Sequence, residues 1–529
     1  MPWPNRNDAG SLMREGCAML GTGNYGDAEA LFRQVLAALP NSAEAHCNLA
    51  AALQETGRSE EARGHLHIAI TLEPNYGLAH FNLGVALRSM SRLKDAMQSF
   101  SRAVSLMPRD FDSHLNLAEV LLELRDPDIA LKHARRAVGL NSGKSAAHNV
   151  LGLAFLALGR LDEARKCFNR TISLKPNSPD AHNNLGTTFK RLNKLEESVT
   201  HYRRALALDP NYAEAHLNEA LSQLLMGNLR IGWEQHEWRW KCKRAQSLEF
   251  NYSRPLWLGG QDIRGKTILL HAEQGLGDTL QFVRYAPAVA EQGARVLLLV
   301  QPSLKSLLSG VAGVESTYAS RQALPDFDLH CPLMTLPLAF STELATIPRT
   351  IPYIRAPENH LAKWREAFSS VEKPKIGIAW SGNPIHTDDR NRSLPLSLFR
   401  QIFSEVECEF HILQTAINES DSLVLSATAE VVDHRSRIED FSDTAAVVEN
   451  LDLIVTVDTS VAHLSGAMGK PTWILLPFSP DWRWLLDRTD SPWYPTARLY
   501  RQGTIGNWES ALSRVRADLM KFVGKRLLR

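Results

Sequence analysis

Cysteine is scarce in this chain and unpaired in its spacing. Six residues, Cys17, Cys47, Cys167, Cys242, Cys331 and Cys408, are scattered over 529 positions with no Cys-x-x-Cys pair. That spacing suits neither a disulfide framework nor a zinc site, so reduced, buried thiols are expected. Long apolar runs are missing too: nothing approaches the roughly 18 residues that a membrane helix needs. The opening Met1-Pro2-Trp3-Pro4-Asn5-Arg6-Asn7-Asp8 lacks the apolar core of a secretory signal, which points to a cytoplasmic protein. An excess of one charge sign is also absent, since 59 Lys and Arg face 58 Asp and Glu for a formal net charge of +1. There is therefore no global argument for a nucleic-acid or anionic-membrane partner, although local patches stay open. What is present is ordinary globular material, 44% hydrophobic and 22% charged, in a length that suits three or four domains.

Against that bland background two residue types are distributed unevenly. Prolines fall at Pro40, Pro74, Pro108, Pro176 and Pro210 on a 34-residue grid whose remaining point is Ser142. Six of the 18 histidines keep the same beat: His46, His80, His114, His148, His182 and His216. Asparagine follows two positions later at Asn48, Asn82, Asn116, Asn184 and Asn218, with Val150 as the exception. A fixed period of this length means stacked supersecondary units. Within one unit Leu83-Gly84 and Leu87 share a helix face, Ser91-Arg92 turns, and Ala96, Phe100 and Ala103 mark a second amphipathic helix closed by Pro108.

These features resemble the tetratricopeptide repeat. The resemblance covers residues 9–242, with six good units and a degenerate seventh in which Gly232-Trp233 and Trp238-Arg239-Trp240 replace the pattern. The grid histidines read as packing residues, because six ligands one repeat apart cannot converge on one ion. The grid asparagines read either as a solvated face or as a ladder lining the groove, offering side-chain amides to an extended peptide backbone. The ladder arrangement resembles the repeats of the protein O-GlcNAc transferases, which implies a protein or peptide acceptor held at Asn48, Asn82, Asn116, Asn184 and Asn218.

The second half is different material: eleven of the twelve tryptophans lie at or after Trp233. Residues 243–265 read as a connector with Pro255, Gly259 and Gly260. Then Thr267–His271 reads as a buried strand, followed by a glycine-bearing loop, a helix from Thr279, and a strand at Arg295–Val300. A second series begins with a strand at Lys375–Trp380 and a helix from Pro395. It continues with a strand at Glu409–Gln414, a helix at Asp440–Asn450 and a strand at Leu451–Val457. A helix at Val461–Met468, a strand at Thr472–Leu476 and a terminal helix in residues 506–529 complete it. Two α/β halves, 266–355 and 373–505, are expected, and in open parallel sheets ligands sit beyond the carboxyl ends of the strands.

The polar loops quoted next all fall at such ends. Gly275-Leu276-Gly277-Asp278 places a carboxylate where it could take a proton from a hydroxyl, although Asp278 with Gln281 three residues on also fits a simple helix cap. Asp458-Thr459-Ser460 opens a helix, and hydroxyls and N–H groups at a helix start suit a diphosphate, with His463 one turn inside. Arg390-Asn391-Arg392 offers cations to phosphate, with a solvated loop as the plain alternative.

Together these pieces resemble the GT-B glycosyltransferases of the heptosyltransferase-like type, family 9. The resemblance rests on Gly277-Asp278, on Trp380-Ser381-Gly382 with Arg392 before Leu394-Pro395, and on Val457-Asp458-Thr459-Ser460 with His463. It implies a tetratricopeptide superhelix fused to a GT-B fold of two Rossmann-like halves, similar in architecture to the O-GlcNAc transferases. It implies Asp278 as catalytic base. The donor site it implies comprises Gly275, Gly277, Ser381, Gly382, Asn383, Arg392, Gln414, Asp458, Thr459, Ser460 and His463. The implied donor is a nucleotide-diphosphate sugar, used without a bound metal and with inversion at the anomeric carbon. At Asp481-Trp482-Arg483-Trp484 the chain departs from the family's usual glycine-rich segment, and the loop after Trp380 is rich in arginine rather than lysine. The rival readings are a scaffold with a degenerate GT-B domain, and transfer to a glycan or lipid-linked acceptor.

Overall fold

A computed structural model describes residues 6–242, 252–368, 373–385, 388–403, 406–428 and 431–527. The chain divides into two compact units, one up to Thr188 and one from Phe189 onward. Fourteen helices, from Arg6–Gly21 to Leu229–His236, follow one another as seven helix–turn–helix pairs.

The first unit holds five of these pairs. Three of them are closed by a glycine under a ring: a Cβ on Gly16 would lie 2.7 Å from the Phe32 ring, one on Gly84 2.6 Å from the Phe100 ring and one on Gly152 2.6 Å from the Phe168 ring. Ala96, Phe100 and Ala103 are fully buried, as the i, i+4, i+7 spacing requires. The grid histidines tie each first helix to the preceding turn, with His46 Nε2 3.0 Å from the Pro40 carbonyl and His80 Nε2 3.0 Å from that of Pro74. Two of them also meet a histidine nineteen residues on, at 2.9 Å for His46–His65 and 3.0 Å for His114–His133 between Nδ1 atoms.

The second unit begins inside the sixth pair and contains two parallel sheets. The first sheet has strands β1 (Thr267–His271), β2 (Arg295–Leu299), β3 (Val314–Tyr318) and β4 (Leu329–Pro332), in the order β3-β2-β1-β4. The second has β5 (Lys375–Ala379), β6 (Glu409–Ile412), β7 (Val431–Val432), β8 (Leu453–Val457), β9 (Thr472–Leu476) and β10 (Ala497–Arg501), in the order β10-β9-β8-β5-β6-β7. Counted from β5, that is the 3-2-1-4-5-6 order of a doubly wound sheet, with its direction reversing between β5 and β8. β5, β8 and β9 are buried along their whole length, which explains their unbroken apolar runs.

Several expectations need correction. β3, β4, β7 and β10 carry no long apolar run, and the pattern of the sequence does not announce them. The helix expected from Thr279 starts at Leu276, so Asp278 is its third residue and not its cap. The helix expected at Asp440–Asn450 is Phe441–Glu449, with Asp440 as its N-cap, its carboxylate accepting from the N–H groups of Ser442 and Asp443. Of the expected connector, residues 243–251 lie outside the described residues. The remainder is structural: Trp257 is buried and its backbone N–H donates to the His330 carbonyl at 2.8 Å. The terminal helix is Glu509–Leu527.

The last helix pair, Ala213–Leu225 and Leu229–His236, joins the α/β part of its unit through aromatic and ionic contacts. Trp233 stands edge-on to Trp482 at 5.1 Å and donates to the Thr342 carbonyl at 3.1 Å. Arg239 is buried and donates to both oxygens of Glu273, at 2.9 and 3.1 Å, and to the Thr335 hydroxyl at 2.7 Å. The degenerate repeat therefore gives up its repeat pattern where it packs against the loops and short helices of the α/β part.

Candidate functional site

The loops that leave β1, β5, β8 and β9 at their carboxyl ends meet in the second unit. Gly277 sets the approach of the first sheet to the second. A Cβ there would lie 2.7 Å from the His463 ring, so only glycine lets the helix Leu276–Phe282 rest on the helix Ser460–Ala467. Arg284 reinforces the junction. It is buried, donates to the Trp493 carbonyl at 2.8 Å and to the Tyr353 hydroxyl at 2.8 Å, and sits over the Tyr494 ring.

Asp278 projects from the first turn of its helix. One carboxylate oxygen accepts from the Gly275 N–H at 2.8 Å, and the other is ion-paired with Arg483. Arg483 also donates to Asp481 at 2.9 Å and to Gln281, and lies over the Trp482 ring at 4.3 Å. Asp481 and Asp278 both raise the hold of Arg483 on its proton against the burial of its guanidinium. The Asp481-Trp482-Arg483-Trp484 segment, which reads as a departure from the family pattern, thus supplies the cation nearest the expected base.

Asp458 directly follows β8 and is nearly buried. Burial, followed by the neighbouring Asp481 carboxylate, raises its affinity for a proton, while Arg392 opposes the shift. Thr459 caps the next helix through Val461 N–H at 3.2 Å, and Ser460 remains half-buried. His463 is held neutral: burial lowers it to about 3, with Arg483 acting in the same direction. Its Nδ1 lies 2.9 Å from the Tyr494 hydroxyl and its Nε2 4.0 Å from Asp458. The two ring nitrogens are therefore turned toward protein groups and not toward an open anion site.

The loop after β5 is folded around Arg392. Its guanidinium donates to Asp389 at 3.2 Å and to the Asp458 carbonyl at 3.1 Å, crossing from one loop to the other. A side chain on Gly382 would collide with Arg392 and Asp389. Gln414 accepts from the N–H groups of Trp380 and Ser381 at 3.1 and 3.0 Å, and donates to the Ala416 carbonyl at 2.9 Å. It shapes the loop at the place where the resemblance implies a donor-site residue. Asn383 makes a turn with Ile385 N–H at 3.0 Å and is exposed.

Three groups at this site are not marked by motif: Arg483, Asp481 and Glu273. Arg483 lies 205 residues from Asp278 along the chain, and only folding brings them together. Glu273 adjoins the glycine-bearing loop; burial raises it to about 7 against the pull of Arg239. A carboxylate directly after a strand was the available signal.

On the repeats, the grid asparagines are half-buried and point to the preceding repeat. Asn82 Nδ2 is 3.3 Å from Cys47 Sγ, Asn48 Nδ2 is 3.5 Å from Met13 Sδ, and Asn184 donates to Asn149 at 3.0 Å. Asn149 there holds the place that Cys47 has beneath Asn82. Asn116 bonds instead to the Asp112 carbonyl at 3.0 Å within its own helix. Asn218 belongs to the second unit and is half-buried.

Comparison with known proteins bears on the repeats. Families described as tetratricopeptide repeat match residues 19–80 and 115–179, and one described as TPR repeat matches residues 188–227. The N-terminal region is a tetratricopeptide-repeat array, a class that presents a groove to peptide or protein partners. Protein FlbA of Caulobacter vibrioides is 25% identical over 329 residues, covering 57% of this chain. The chain spans about half the length of that relative, 54%. YrrB, described as a TPR protein with an unusual peptide-binding site, is 25% identical, with 35% of this chain and 95% of that one covered at a TM-score of 0.32. Pseudomonas aeruginosa PilF is 19% identical, with 40% of this chain and 95% of that one covered at a TM-score of 0.36. Among the described residues no helix is long and apolar enough to cross a membrane.

Proposed function

We propose that the protein is a nucleotide-sugar-dependent, inverting glycosyltransferase of GT-B architecture whose repeats present a protein or peptide acceptor. The observation that carries this reading is the convergence of the Asp278, Asp458–Ser460, Arg392 and Arg483 loops at the carboxyl ends of two parallel sheets. Ligands of doubly wound sheets bind at that end.

In this reading Asp278 takes the proton of the acceptor hydroxyl as the oxygen attacks the anomeric carbon. Its carboxylate is paired with Arg483. The donor's phosphates compete for Arg483, release Asp278 and receive the guanidinium in exchange. Arg392 and the N–H groups opening at Ser460 stabilise the leaving nucleotide diphosphate. The half-buried asparagines of successive repeats hold the acceptor backbone.

The test is transfer to a protein acceptor, or hydrolysis, across a panel of nucleotide sugars, with Asp278→Asn beside the unaltered chain. Loss of turnover by about 100-fold or more, with folding intact, is expected for removal of a general base. Full activity in Asp278→Asn would show the assigned base to be wrong. Activity with no sugar in the panel, and no binding of any nucleoside diphosphate, would favour the scaffold reading.

A further inference from the structure

Lys190 closes the helix Pro179–Arg191 in the sixth helix pair, yet it belongs to the second compact unit. At multiples of 34 residues from it the chain has Leu20, Gln54, Arg88, Leu122, Leu156 and Leu224. Leucine is the commonest occupant, and the one other basic residue, Arg88, is ion-paired with Glu119 and Glu123.

The structure shows what the lysine faces. The Ser479 hydroxyl donates to the Lys190 carbonyl at 3.3 Å, and the Asn193 amide donates to the Phe478 carbonyl at 2.6 Å. Those contacts dock the end of the repeat helix onto the loop after β9, the loop that carries Asp481 and Arg483. Lys190 is half-buried; burial disfavours its charge, while Asp481 and then Asp388 favour it. Asp388 lies in the loop after β5 that carries Arg392. Among the described residues Nζ makes no hydrogen bond and no ion pair, whereas Arg392 and Arg483 are both engaged with carboxylates.

We propose that Lys190 is a donor-binding residue, reaching from the repeat helix between the loops after β5 and β9 to contact the phosphate oxygens of the leaving nucleotide. The inference rests on the glycosyltransferase reading and extends it: the donor site is completed by the repeat array and is not confined to the two sheets. A compact, strongly charged ammonium on a flexible stem suits a phosphate that arrives and leaves in each cycle.

The experiment is calorimetric titration of the full chain with ADP, CDP, GDP, UDP and inorganic pyrophosphate, for the unaltered protein and for Lys190→Met and Lys190→Arg. Lys190→Met is expected to weaken the best-bound probe about tenfold, the scale of one charge-assisted hydrogen bond, and Lys190→Arg to keep most of the affinity. The ligand-free thermal midpoint of Lys190→Met is expected to match or exceed that of the unaltered chain, because leucine is the commonest occupant of this position elsewhere. Equal affinity in Lys190→Met overturns the assignment of Lys190 and leaves the glycosyltransferase reading standing. Failure of the unaltered chain to bind any of the five probes overturns both. Should Lys190→Met lower the midpoint, Lys190→Gln serves in its place, and equal weakening in Lys190→Arg marks a structural role and overturns the proposal.

Discussion

Arg483 is engaged with three side chains: Asp278, Gln281 and Asp481. Its removal strands two carboxylates and takes away the cation closest to Asp278, the proposed base. On the proposed glycosyltransferase reading, Arg483→Met is expected to lower kcat by about 100-fold or more, on the scale of losing a preorganised charge-stabilising donor. Arg483→Lys keeps the charge but not the fork that reaches two carboxylates, so an intermediate loss is expected; steady-state rates of both variants check this. Asp278, Asp458, Thr459, Ser460 and Arg392 were legible as single residues because each follows a strand pattern in a polar loop. Arg483 was not, because its partners lie in distant sequence and its own segment has no periodicity.

At the scale of the element, the repeats were legible almost completely, since the 34-residue period encodes each helix and its turn. The sequence reads the grid histidines as packing residues and does not show their partners. They bond to the carbonyl of the preceding turn, and His46 and His114 pair with His65 and His133. Burial lowers His65, with His46 and Arg33 acting in the same direction and Glu61 and Glu29 opposing. Burial lowers His133, with His114 and Lys132 acting in the same direction. It lowers His114 too; the Pro108 carbonyl and Asp110 oppose this, while Arg136 reinforces it. A histidine held below its unfolded value adds stability that is full above the unfolded pKa of roughly 6.5 and is lost as pH falls beneath it. The thermal midpoint of the repeats is accordingly expected to drop between about pH 7 and pH 5.5, over the range in which an unperturbed histidine titrates. The double variant His65→Gln, His133→Gln is expected to flatten that drop, since Gln235 already fills the equivalent place beside His216 at 2.6 Å. An unchanged slope in scanning calorimetry would remove the histidine pairs as the cause.

At the scale of the molecule, repeat count and compact unit do not coincide. The helix pairs run to His236, but the compact unit that contains both sheets begins at Phe189. Trp233 and Arg239 explain this, because their partners Trp482, Thr342, Glu273 and Thr335 all lie in the α/β part of the same unit. A chain beginning at Ser178 is expected to unfold cooperatively in urea. One beginning at residue 243 leaves Glu273 buried without its cation, a loss of about 3–5 kcal/mol for a broken buried pair, and is expected to show a lower or absent transition. Urea titration followed by tryptophan fluorescence distinguishes the two. A boundary drawn from periodicity falls at residue 242 because the repeat pattern fades there; packing places the division earlier.

Local information in the sequence determined the repeats, the buried central strands and the polar loops at their ends. Helix periodicity, proline stops and unbroken apolar runs act over a few residues and survive in one dimension. The short edge strands β3, β4, β7 and β10 were invisible to that reading, because half-exposed or very short strands keep no distinctive pattern. The pairing of Asp278 with Arg483, the neutral buried state of His463, the working role of Gln414 and the placement of Lys190 beside Asp481 were decided only by tertiary structure. Each depends on burial and on charges that chain folding brings within a few ångströms, and neither quantity is a property of any segment alone.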